Sequence, residues 1–229
     1  MPNPARPSRG RAARALVQTL LVGWLLTAPP GLRAWDSQRI QQTAQRLGPA
    51  AMASVQLLLP LLRESASQDE VARLNAINEF FNRRVIFSDD LALWGVADHW
   101  ASPLETLSRG AGDCEDYAIA KYFSLLAAGV PGARMRLVYV RAMAGGPGGV
   151  ATPHMVLAYH ATPGAEPLIL DNLITEVRPA SRRPDLVPVF SFNAEGLWPG
   201  GDTTSSGDPA DRLSRWRDVL AKARAEGFL

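Results

Sequence analysis

The chain is short of cysteine, of histidine and of long apolar runs. Cys114 is alone among 229 residues, which excludes an internal disulfide framework and leaves burial or chemistry to explain the thiol. His99, His154 and His160 are the only histidines. No stretch reaches the roughly 20 apolar residues that a membrane helix needs, and the apolar segment from Ala15 to Ala28 spans fourteen. Neither an internal repeat nor EF-hand spacing is present. Acidic residues are missing from positions 1–34, which carry five arginines, so the whole chain's +2 becomes −3 for the remainder. A mildly negative body gives no support for nucleic-acid binding.

Those first residues form a targeting pattern. Arg6, Arg9, Arg11 and Arg14 precede the apolar stretch, and Pro29-Pro30-Gly31 follows it, as in a secretory signal. Residues 1–34 are therefore read as a signal peptide cleaved after Ala34, with an uncleaved membrane anchor as the alternative. Export makes the unpaired thiol a liability unless it is buried or used.

The remainder reads as a domain over 35–198, followed by a linker and terminal amphipathic helix over 199–229. Ser37 to Arg63 suits one or two helices broken at Gly48-Pro49. Val71, Leu74, Ile77 and Phe80 or Phe81 recur at helical spacing over Asp69 to Arg84, with Ser67 or Asp69 as cap. Cys114 to Ala128 is a further helix, stopped by Gly129 and Pro131. The period then changes to strands at Met135–Arg141, His154–His160, Leu168–Leu173 and Val187–Phe192, with a flexible loop at Gly145–Gly149. Helices first and antiparallel hairpins afterwards argue for an α+β fold.

Cys114 opens its predicted helix, where partial positive charge and free N–H groups favour a thiolate and an oxyanion. A cysteine nucleophile needs a base, and the base needs an orienter. His154 and Asp171, at strand edges, supply those types in papain-like order. His160 and His99 compete for the base. Asn172 competes with Asp171, although neighbouring strand residues face opposite ways and only one of them can serve. The acidic neighbours Asp113, Glu115 and Asp116 oppose a thiolate. At roughly 6 Å and an effective dielectric constant of about 20, each costs roughly 3 kcal/mol, against about 0.3–1 kcal/mol from the helix dipole. Bound calcium would neutralise them; a solvated acidic first turn is the plainer explanation.

Trp94-Gly95, Asp98-His99-Trp100-Ala101-Ser102-Pro103-Leu104-Glu105 and Gly110-Ala111-Gly112-Asp113-Cys114-Glu115-Asp116-Tyr117-Ala118-Ile119-Ala120-Lys121-Tyr122 resemble the bacterial transglutaminase-like cysteine proteinases, LapG-type periplasmic proteases in particular. His154-Met155-Val156-Leu157, Leu170-Asp171-Asn172 and Arg183-Pro184-Asp185-Leu186 extend the resemblance over roughly residues 36–198. It implies a papain/transglutaminase-like fold, an N-terminal helical lobe packed on an antiparallel sheet. It also implies a triad of Cys114, His154 and Asp171, and calcium held by Asp113, Glu115 and Asp116. The implied activity is cleavage of a large surface adhesin near a small-residue site in its N-terminal region, which releases the adhesin and controls biofilm dispersal. An inner-membrane cyclic-di-GMP receptor would sequester the protease. His99 departs from the family's aromatic residue, commonly tyrosine. Acyl transfer to an amine and a non-catalytic partner-binding module are the competing functions.

Overall fold

The computed structural model describes Met1 and residues 35–144, 149–200 and 204–229. The expected leader beyond Met1 and most of the Gly-rich loop therefore lie outside the described residues. The described residues from Trp35 to Leu229 belong to one compact unit.

Its first half is helical. Helix α1 (Ser37–Leu47) is capped by Asp36, whose side chain accepts the Gln38 and Arg39 N–H groups at 3.0 Å. The expected break falls at Gly48, with φ of +111°, and Pro49 opens α2 (Pro49–Ser65), where its missing donor is harmless. Asp69 caps α3 (Glu70–Arg84) through the Ala72 N–H at 2.8 Å. Leu74, Ile77, Asn78 and Phe81 form the buried face of α3, and Val71 in the first turn stays half exposed.

Between the helices lies a pairing that linear patterns do not reveal. The two-residue strands β1 (Ile86–Phe87) and β2 (Ala111–Gly112) run parallel, the Ile86 N–H donating to Gly110 O and the Ser88 N–H to Gly112 O. Helices α4 (Asp90–Trp94) and α5 (Pro103–Arg109) fill the interval, and a reciprocal Ser102–Glu105 box caps α5. Gly110, at φ of +62°, ends α5 in the left-handed region that glycine tolerates.

Helix α6 (Cys114–Ala127) is apolar nearly all round, which suits a helix buried on every side. It packs on α3 and α5 and against the sheet strands β3 (Met135–Ala144) and β4 (Val150–Tyr159). The sheet is completed by β5 (Leu168–Leu170), β6 (Arg178–Pro179), β7 (Leu186–Phe192) and β8 (Leu197–Pro199), in the order β6-β5-β4-β3-β7-β8 and antiparallel throughout. Met135, Leu137, Met155, Leu157 and Leu170 join the helices in the main core, while Val138, Val140, Val156, Ala158 and Ile169 form a second, smaller cluster. That alternation is the period-two pattern of a strand with two packed faces. The α+β expectation, helices on an antiparallel sheet, is met.

The terminal segment enters the same core. After α7 (Pro209–Arg212), helix α8 (Ser214–Glu226) buries Trp216, Val219 and Ala223. Trp216 stacks on Phe123 of α6 and donates its indole N–H to Asn193 O at 3.1 Å. Glu226 accepts from the Ser102 hydroxyl and from the Leu104 N–H, so α8 also braces the start of α5.

Candidate active site

Strand β2 delivers Cys114 to the first turn of α6. Gly112 has to be glycine here, because a Cβ would stand 2.6 Å from Asp116 Oδ2. The Cys114 sulfur meets strand β4, where it accepts the Met155 backbone N–H, and the thiol donates to Glu115 Oε2 at 2.9 Å. Burial, and then the Glu115 and Asp113 carboxylates, push the thiol well above its ordinary range, and the Met155 N–H offsets only part of this. The conflict read from the sequence, acids against a thiolate, is therefore present in the folded protein.

His154 precedes Met155 on β4, four residues inside the strand rather than opening it. Its Nε2 lies 2.8 Å from Asp171 Oδ1, and both side chains are buried, the imidazole at 6% exposure and the carboxylate at 0%. Asp171 follows the last residue of β5 and accepts three further contacts at its head or through its backbone. The Leu173 N–H donates to Oδ1 at 3.1 Å, Arg183 Nη2 donates to Oδ2 at 2.8 Å, and Asn82 Nδ2 donates to the backbone carbonyl at 2.7 Å. Burial opposes ionisation, but the hydrogen bond and charge of His154, the Leu173 N–H and Arg183 together hold Asp171 down at about 2. The bond goes to Asp171 and not to Asn172, whose Oδ1 is buried without a partner. His160 instead faces the Ala165 carbonyl at 3.1 Å, and His99 lies tilted against Trp94, with 4.3 Å between ring centres. Trp100 stacks on Phe192, with 5.6 Å between ring centres.

The acidic residues separate into two groups. Oxygens of Asp90, Asp113 and Glu115 lie within 4.8 Å of one another. Asp116 stands apart, fully buried, and accepts the Ala101 N–H at 2.8 Å. Asp90 was not anticipated. Only the β1–β2 pairing carries Asp90, just after β1, alongside Asp113, just after β2. Its acidity beside Asp89 was the sole linear clue. Burial and then the fields of Glu115, Asp116 and Asp90 raise Asp113 to about 9, and burial with its acidic neighbours raises Asp116 to about 8. Asp90 Oδ1, Asp113 Oδ1 and Asp116 Oδ2 are buried with no hydrogen-bond partner. Unpartnered, crowded carboxylate oxygens are the donor set of a hard divalent cation, so these residues fit calcium.

The structure also exposes supports that the sequence pattern passed over. Asn78 and Asn82, four residues apart on the buried side of α3, donate to Thr175 O at 2.6 Å and to Asp171 O, gripping the loop after β5. Polar residues on an apolar helix face were the available signal. Lys121, two turns along α6 from Cys114, is fully buried with its Nζ near the Tyr117 ring, and burial lowers it to about 7.

A helix that offers a cysteine at its first turn to an antiparallel sheet bearing a buried His–Asp pair defines the transglutaminase-like cysteine peptidases. The chain belongs to that class in its bacterial form: residues 61–185 match the family described as bacterial transglutaminase-like cysteine proteinase. Solved structures agree. Legionella pneumophila LapG in its EGTA-treated form is 36% identical, with a TM-score of 0.72 over 82% of this chain and 97% of that one. The calcium-bound form of the same protein is 36% identical, with a TM-score of 0.69 over 82% of this chain and 98% of that one. A third Legionella LapG structure is 35% identical, with a TM-score of 0.70 over 82% and 97%. No curated protein gives a significant match. Among the described residues, no helix is long and apolar enough to cross a membrane.

Proposed function

We propose that the protein is a calcium-dependent periplasmic cysteine endopeptidase that cleaves a large surface adhesin near its N-terminus, releases it from the cell and so controls attachment and biofilm dispersal. An inner-membrane cyclic-di-GMP receptor would restrain it by sequestration. The family supports the peptidase class, and the likeness to a Legionella protein solved both calcium-bound and EGTA-treated supports the metal. The observation that carries the reading is the buried 2.8 Å His154–Asp171 bond on the strand whose next residue touches the Cys114 sulfur.

In this reading Cys114 and His154 exchange a proton, and the thiolate attacks the scissile carbonyl. The Cys114 backbone N–H, at the start of α6, donates to the oxyanion. His154 then protonates the departing amine, and the resulting thioester is hydrolysed by water that His154 deprotonates. Asp171 accepts the Nε2 proton throughout, which fixes the tautomer and leaves Nδ1 for the chemistry. Asp90, Asp113 and Glu115 would hold calcium, whose charge would neutralise the carboxylates that oppose a thiolate.

Cys114→Ala is expected to abolish cleavage of an adhesin N-terminal fragment while circular dichroism and Tm stay near those of the parent. Retained turnover would end this mechanism. A labelled amine included in the same assay separates hydrolysis, which shortens the substrate alone, from acyl transfer, which labels it.

A further inference from the structure

Asp171 has two carboxylate oxygens, and the imidazole uses one. The other belongs to Arg183. A single turn of 3-10 helix, Ala180–Arg182, lies between β6 and β7, and the Arg183 N–H closes it on Ala180 O at 2.9 Å. From there the guanidinium reaches Asp171 Oδ2 at 2.8 Å and forks onto Asp185, at 3.0 Å from Nε to Oδ1 and 2.8 Å from Nη2 to Oδ2. The Arg183 side chain is 2% exposed and that of Asp171 0%, whereas the Asp185 side chain is 35% exposed.

The unequal burial decides how the cation's charge is shared. Asp185 holds Arg183 through two hydrogen bonds, but water at its half-exposed carboxylate screens its charge. Asp171 has no such screening, and a buried carboxylate without a compensating cation is strongly disfavoured. The other charged or titratable groups around Asp171 are His154 on β4 and, at longer range, Lys121 on α6. Were Arg183 absent, the imidazole would be the neighbour left to compensate Asp171, and positive charge held on it would tie down the proton that the ring has to pass on.

We propose that Arg183 is a positioning residue for the triad: it fixes the second oxygen of Asp171 and cancels that carboxylate's charge, so that His154 meets a rigid, nearly neutral acceptor. The Asp171–Arg183 pair then serves as an uncharged amide orienter would, holding the ring without locking a proton on it. This rests on the reading of Cys114, His154 and Asp171 as a triad.

Arg183→Met and Arg183→Lys in the full, calcium-loaded chain test the proposal. Arg183 lines an apolar cavity of about 280 Å³ with Val138, Val140, Val156 and Ile169, so a methionine stem has matching surroundings. With Arg183→Met, kcat is expected to fall at least about tenfold with KM little changed, and His154, followed by imidazole NMR, to titrate about one unit or more higher. Arg183→Lys keeps the charge and is expected to return the titration to the parent value, even where loss of the fork limits kcat. The double variant Asp171→Asn with Arg183→Met removes both charges, so it folds without a buried orphan, and it is expected to turn over about tenfold faster than Arg183→Met alone. The proposal is overturned if Arg183→Met lowers only Tm, with the His154 titration and the pH profile of kcat superimposed on the parent's. It is equally overturned if the double variant is no faster than the single one. Cleavage by Cys114→Ala would instead sink the triad, whatever the Arg183 variants do.

Discussion

The two halves of the site solve the problem of buried charge in opposite ways. Beside the imidazole, the Asp171 carboxylate has a cation, a ring donor and a backbone N–H within 3.1 Å, and it lies at about 2. Beside the thiol, Asp90, Asp113 and Glu115 crowd together, Asp113 is raised to about 9, and the thiol is driven up with it. One half is electrically complete in the polypeptide. The other would be completed by the positive charge of the proposed calcium. The same residue type, aspartate, is thereby a fixed structural anion in one place and a proposed calcium ligand in the other.

Breaking the complete half should have the largest effect. Asp171→Ala removes the orienter and leaves Arg183 facing an empty acceptor position. The expected loss in kcat is about 10²–10⁴-fold, and loss of one partner of a buried pair should cost about 3–5 kcal/mol, or roughly 10 °C in Tm for a domain of this size. Turnover assays and thermal melts read both.

A smaller effect sharpens the contrast, because the two halves respond to pH with opposite sign. Asp171 is depressed from 3.8 to about 2, so it contributes about 2–3 kcal/mol above pH 4 that is lost as the pH falls toward 2. Asp113 and Asp116 are raised from 3.8 to about 9 and about 8, so their contribution is full below pH 4 and is lost as the pH rises through those values. Chelated protein should therefore melt at a lower temperature at pH 8 than at pH 5. Calcium at a hundredfold excess over its Kd adds about 2.7 kcal/mol, roughly 5–10 °C, and should act most strongly at pH 8. A calcium shift of equal size at both pH values would remove the assigned ligands.

The fold was legible where chemistry is local. Pro49 after Gly48, the Asp69 cap, the glycine and proline that stop α6 and the alternation of Met135 to Arg141 each fix an element through its own neighbours. Much of the site was legible because its residue types are scarce: one thiol and three histidines leave few arrangements to weigh. What escaped depends on contacts between distant segments. Asp90 reaches Asp113 through a two-residue parallel pairing that carries no periodic signal. Arg183 stood in a recognisable run, yet its role appears only when β6 and β7 bring the intervening turn back to the end of β5. Strand alternation could not choose between Asp171 and Asn172, because β5 ends at Leu170 and leaves both outside it; the His154 bond goes to Asp171.

The acidic half surrounds a single sulfur, which the strand carrying His154 meets at the Met155 N–H, and the reactivity of that sulfur reports on the acids. Because Cys114 is the only thiol in the chain, its alkylation by iodoacetamide at pH 7 can be followed in the full protein without background. Adding calcium to chelated protein should raise that rate about tenfold or more, as neutralised carboxylates let the thiolate form. Equal rates with and without calcium would contradict the claim that the acidic half needs a cation to complete the site.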